Sequence, residues 1–163
     1  MQTEDRAYIS GLGELMANIQ SLEFMIRIAL YKNGSRPHKP FMVRTSFLSL
    51  DIGKEVPENA LTDYSTLKQL ISRYNREISK SEPSLNLSSN LVEIRDVLAH
   101  GRIAFEGGTN YSTDRFIAKF SDPKKDRKRR VFVAYAEKMS LEWIKEKNEF
   151  VRGELDKIQK NDL

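Results

Sequence analysis

Arg95, Asp96 and His100 bring three kinds of chemistry into one short stretch of the chain. An imidazole titrates near pH ~6.5, so it can give or take a proton at neutral pH. A guanidinium offers a permanent charge and a planar fork for phosphate oxygens. A carboxylate one helical turn below a histidine can fix its tautomer. Together these groups could move a proton and stabilise charge on phosphate oxygens. No acidic cluster with loop spacing suggests a metal site.

The element that must position them spans residues 90–102. Leu91, Ile94, Val97 and Leu98 recur at three- and four-residue steps, which predicts an amphipathic helix. Asn90 with Glu93 reads as an N-cap and capping-box pair, and Gly101 sits where the helix should stop. At about 100° per residue, Asp96 and His100 share a face. Arg95 points about 100° away from Asp96, nearer the apolar stripe. A charged pair beside core positions is costly unless it is satisfied or used. The other histidine, His38, stands between Pro37 and Lys39 and reads as a surface-loop residue.

The string Arg95-Asp96-Val97-Leu98-Ala99-His100-Gly101 resembles the Arg-x4-His signature of the HEPN superfamily. The architectural likeness covers residues 7–30 and 63–158. It implies an up-down four-helix bundle and, in active members, a metal-independent endoribonuclease without cofactors. It also implies a twofold homodimer whose motif helices face one another, so that two Arg95 and two His100 line one composite site. Asp96 stands where a neutral Asn is frequent and adds negative charge near the phosphate, to be offset by Arg95, Arg102 or basic residues further along. Some toxin members carry a Tyr two residues after the His, which a partner enzyme modifies. Here that position is Arg102, so that modification is not expected, and Arg102 suits a phosphate contact.

Around the motif the chain reads as helices joined by reversing connections. Residues 5–32 carry Tyr8, Leu12, Leu15, Met16, Ile19, Leu22, Ile26, Ala29 and Leu30 in a near-heptad rhythm, ended by Asn33-Gly34. Gly11 and Gly13 weaken its first turns. Its surplus apolar face could hold a second subunit. A proline-bearing connection over 35–61 includes the loosely alternating segment 41–52. Thr62 or Asp63 is expected to cap the next helix, with Tyr64, Leu67, Leu70, Ile71, Tyr74 and Ile78 buried. After the motif, 103–105, 115–120 and 131–135 alternate and read as strands of a small antiparallel sheet, an insertion over 103–136. Between the last two lie Lys124, Lys125, Arg127, Lys128, Arg129 and Arg130, broken only by Asp126, which read either as a solvated hairpin tip or as a basic finger contacting the phosphates of RNA. Ser140 caps the last helix, with Leu141, Ile144, Val151, Leu155 and Ile158 as its stripe and Trp143 and Phe150 on its flank.

The chain has 163 residues, enough for one domain with a real core. It has no cysteine, which excludes disulfides, thiolate metal sites and cysteine nucleophiles. No basic-then-apolar leader and no long apolar run occurs, so neither a secretory signal nor a membrane span is expected, and the composition fits a cytoplasmic protein. A net charge of +4 permits an anionic partner. The expected fold is therefore mainly α, a four-helix bundle with a small β insertion between the third and fourth helices. The expected function is an RNase of a toxin–antitoxin, defence or stress system, with RNA and an antitoxin or other protein as partners. The alternative is a silent dimeric module that binds a nucleotide or a protein through the same groove.

Overall fold

The computed structural model describes residues 3–34, 52, 53, 55, 58–107, 113–121 and 132–161. Among these, the fold is mainly α. Four helices, α1 (Thr3–Gly34), α2 (Leu67–Glu77), α3 (Asn90–His100) and α4 (Leu141–Asn161), accompany strands β1 (Arg102–Gly107), β2 (Thr113–Ser121) and β3 (Phe132–Lys138). The strands form one antiparallel sheet in the order β1-β2-β3, between α3 and α4 in the chain. No described helix is long and apolar enough to cross a membrane. Residues 35–51, which include His38, and 122–131, which include Lys124, Lys125, Arg127, Lys128, Arg129 and Arg130, lie outside the described residues.

The chain divides into two compact units. One comprises residues 1–19 and 90–152, and it holds the motif. Its core joins Tyr8 and Leu15 of α1, Leu91, Ile94 and Val97 of α3, Ile117 of β2, and Trp143, Ile144 and Val151 of α4. The sheet is tied down by polar contacts as well. Arg115 bonds Asp5 at 2.7 Å and lies over the Tyr8 ring at 3.8 Å, while its carbonyl accepts from the Met139 N–H. The Trp143 indole N–H and the Tyr135 hydroxyl both donate to the Glu137 carboxylate. Burial and the bond to Glu137 push the Tyr135 hydroxyl up to about 12, and the same bond holds Glu137 below the usual carboxylate range. Tyrosine therefore stays a donor and glutamate an acceptor at neutral pH.

Several expected faces shift. Trp143 is buried and Leu141 exposed, because the Ser140 cap, whose Oγ accepts from the Trp143 N–H at 3.1 Å, sets the phase of α4. Met16 is exposed, since Leu15 and Ile19 already fill that side of α1. Gly11 is a close-approach position rather than a weak point. A Cβ there would stand 2.9 Å from Ile144 Cγ2.

The other unit comprises residues 20–89 and 153–163. It packs Leu22, Ile26 and Leu30 of α1 with Leu70, Ile71 and Tyr74 of α2, and with Leu87 and Ile158. The N-cap of α2 is Thr66, not Thr62 or Asp63. Its hydroxyl accepts from the Gln69 N–H, and Gln69 Oε1 accepts from the Thr66 N–H at 2.8 Å, a full capping box. Tyr64 accordingly precedes the helix and is 99% exposed. Asp63 is used elsewhere. Arg27, nearly buried, donates to Asp63 Oδ1 at 2.9 Å and to the carbonyls of Ala60, Asp63 and Ser65, while Arg73 reaches Asp63 Oδ2 at 3.2 Å. Burial alone would raise the Asp63 carboxyl, but the Ser65 N–H and the Arg27 guanidinium outweigh it and hold the carboxyl low.

A carboxylate with a depressed folded pKa adds stability above its unfolded value, near ~3.9, and loses it as pH falls through the folded value. Urea unfolding across pH should therefore show Asp63→Asn losing less stability than wild type in that acid window. At neutral pH, Arg27→Met should cost about 3 kcal/mol, because it leaves carbonyls and a carboxylate without their donor.

Candidate functional site

α3 ends before Gly101 as expected, but Asn90, read as its N-cap, is its first helical residue. Leu91, Ile94 and Val97 are buried and Leu98 is half-buried. Arg95 lies off this stripe, with 43% of its side chain exposed, and not beside it as the angular reading expects. Its guanidinium instead reaches back to its neighbour, with Nη1 3.3 Å from Asp96 Oδ1. The second Asp96 oxygen accepts from Lys119 Nζ of β2 at 3.2 Å. The Asp96 carboxylate thus serves two cations. Among the described residues it makes no bond to His100, the contact expected of it.

His100 occupies the last turn of α3, exposed, and no hydrogen-bond or ion-pair partner for it occurs among the described residues. A cation there also meets the negative end of the helix dipole favourably. Arg95 and His100 are five residues apart, about 140° around the helix axis. One copy of α3 therefore directs them to different sides.

Gly101 turns the chain from α3 into β1. Its N–H donates to the Val97 carbonyl at 2.7 Å. A Cβ here would stand 2.3 Å from the Val97 oxygen and 2.7 Å from Ile117 Cγ1. Glycine is needed because the helix end passes hard against β2. Arg102 follows, exposed, with its guanidinium carbon 5.3 Å from the centre of the Phe120 ring. The described residues therefore expose Arg95, His100 and Arg102 separately, and bring Arg95 and Lys119 together on Asp96.

The sequence reading missed Lys119. Only the pairing of β2 beside α3 brings it to Asp96, and nothing in local spacing announces that. Of the expected offsets to the Asp96 charge, Arg95 makes the contact, and Lys119 adds a second cation that the sequence reading did not name. A cavity of about 230 Å³ lies elsewhere, at the start of α3, lined by Glu93, Tyr135, Glu137, Glu146 and Lys147. Three carboxylates against one lysine make it a poor home for phosphate. No motif residue lines it, and among the described residues no His, Asp or Glu cluster is placed to hold a metal ion.

Neither family models, curated proteins nor solved structures give a match to this chain. Gly101→Ala should lower stability by about 2 kcal/mol in urea unfolding, since the backbone oxygen it meets has no room to yield. An Ile117→Val change made alongside should not restore it, because it removes Cδ1 alone and leaves the γ carbon and the Val97 oxygen in the way.

Proposed function

We propose that this protein is a metal-independent endoribonuclease of the HEPN type, acting as a homodimer. The observation that carries the reading is the solvent-facing His100, which has no partner among the described residues, five residues beyond an exposed Arg95. A histidine and an arginine kept only for packing would be expected among internal partners. Here His100 and Arg95, though Arg95 pairs with Asp96, both reach solvent, which supports the reading.

The chemistry follows from the groups. His100 of one copy takes the proton of the 2′-hydroxyl as its oxygen attacks the adjacent phosphorus. His100 of the other copy protonates the leaving 5′-oxygen. The two Arg95 side chains bind the non-bridging oxygens as the phosphorane forms. The products are a 2′,3′-cyclic phosphate and a 5′-hydroxyl. Asp96 is a positioning residue that holds Arg95 and Lys119. A twofold axis through the motif helices supplies the second histidine and brings together arginine and histidine that one helix keeps about 140° apart. Ile9 and Met16, exposed and seven residues apart on α1, support an apolar contact between copies beside it. The helices are then those of an up-down HEPN bundle. The basic residues Lys124, Lys125, Arg127, Lys128, Arg129 and Arg130 gather RNA, and a toxin–antitoxin, defence or stress setting would provide an antitoxin or other protein partner.

A second reading, a catalytically silent dimeric module, draws on the Asp96 contacts. Arg95 and Lys119 meeting on one carboxylate tie α3 to β2, a structural role that an inactive copy would also keep.

Cleavage of a mixed RNA pool in EDTA separates the two. Wild type should cut and leave cyclic-phosphate ends, while His100→Ala and Arg95→Ala, folded equally well, should each lose at least about a hundredfold in rate. Wild-type protein that does not cut at high concentration, or a His100→Ala variant that cuts as fast, would leave the module reading in its place.

A further inference from the structure

Asp96 and His100 are four residues apart on α3, a spacing at which helical side chains are neighbours. Asp96 nevertheless gives Oδ1 to Arg95 Nη1 at 3.3 Å and Oδ2 to Lys119 Nζ at 3.2 Å. His100 has no partner among the described residues. Valence does not forbid a further bond, because each carboxylate oxygen has lone pairs to spare. Charge decides the direction. An ammonium and a guanidinium carry full charge at neutral pH, whereas an ordinary imidazole is mostly neutral there. A carboxylate offered all three turns to the two cations.

Of these cations, Lys119 sets the direction. Arg95 is the next residue on the same helix, with 43% of its side chain exposed, and a neighbour so placed can follow the carboxylate into another rotamer. Lys119 arrives from β2 and is less exposed, at 29%. It stands two residues beyond Ile117, on the same face of the sheet. Ile117 is fully buried against the turn at Gly101, so this part of β2 is fixed with respect to α3.

We infer that Lys119 is a positioning residue that holds the Asp96 carboxylate toward the sheet and withholds it from His100, so that the imidazole works without a carboxylate partner. One rotamer of a partly exposed side chain is at stake, so a single ion pair suffices. The inference rests on the ribonuclease reading for its purpose. In a twofold site the same histidine is the base in one copy and the acid in the other. A carboxylate on both imidazoles would favour the protonated form in both and leave the base short. Around the end of α3, Arg95 on the helix, Arg102 on β1 and Lys119 on β2 act the other way, since cations disfavour an imidazolium. Loss of Lys119 therefore has two effects of one sign, a released carboxylate and a missing cation, which the test must separate.

That test needs no cleavage. The chain has two histidines, so NMR of the imidazole Cε1–H protons, assigned with His100→Ala, follows His100 across pH in full-length protein. Lys119→Met should raise the His100 midpoint by about half a pH unit, as Asp96 swings onto the imidazolium. Lys119→Arg, which keeps the cation, should leave the midpoint in place. In an Asp96→Asn background, Lys119→Met should move it by half that amount or less, because no carboxylate is left to recruit. Met keeps the aliphatic stem of Lys119, and Lys119→Gln is a second neutral variant if Met disturbs the fold. A midpoint unmoved in the folded neutral variants overturns the inference. So does an equal rise in the Asp96→Asn background, which would report the missing cation alone. Cleavage is read separately. If wild type cuts RNA, Lys119→Met should carry the pH–rate profile to higher pH by the same amount, since the base form then appears later. Cleavage with an unmoved profile overturns the inference and leaves the ribonuclease reading standing. A wild type that never cuts, with His100 titrating as stated, sustains Lys119 in its place and removes the ribonuclease reading.

Discussion

The motif region depends on one steric constraint, the passage of Gly101 against Ile117. Ile117 is the fully buried residue at the middle of β2, and between it and the Val97 carbonyl no side chain fits at position 101. At this crowded turn the helix ends at His100 and Arg102 begins the first strand. The turn therefore sets where the imidazole and the next guanidinium emerge. The same passage brings β2 near enough for Lys119 to reach Asp96. A helix end, a strand and an ion pair are thus aligned by one missing Cβ.

Charge at the site is arranged on the same scaffold. A lone Asp96 would repel phosphate. With Arg95 on one oxygen and Lys119 on the other, it becomes the centre of a group whose net charge is positive. Exposed pairs of this kind add about 1 kcal/mol or less to stability, so their value lies in orienting Arg95 more than in holding the fold. On the proposed reading, Arg95 then meets the scissile phosphate while His100 stays free for the proton. The Arg27–Asp63 cluster is the counterpart in the other unit, where burial makes the same type of pairing structural.

Local patterns in the sequence foretold the elements that rest on local physics. The 3.6-residue rhythm of Leu91, Ile94 and Val97 marked α3, and alternation marked three strands. The start of α2 was legible too, in the Thr66 and Gln69 pair of a capping box, but Thr62 and Asp63 drew the assignment because they also suit a cap. What local pattern does not carry is which side of an element its neighbours cover. Phe116, Ala118 and Phe120 alternate as a buried strand face would, yet the buried residue is Ile117 on the other side, because the helices pack there. Met16 and Leu141 are exposed and Trp143 buried, against the same kind of pattern. Lys119 and Arg27 act through partners distant in sequence, Asp96 and the 60–65 segment, which only the fold brings near. Gly101 was read as a helix stop, and its position was right, but its cause is crowding against the Val97 carbonyl and Ile117 and not a left-handed backbone.

The central claim is that two copies of the chain build one catalytic site. Its most direct test mixes wild type with His100→Ala protein in varying proportion at fixed total concentration, with RNA in excess and time for subunits to exchange. If both histidines of a dimer are needed, cleavage falls as the square of the wild-type fraction, because mixed dimers are silent. A fall in simple proportion to the wild-type fraction would mean that each copy cuts alone, and would contradict the composite site.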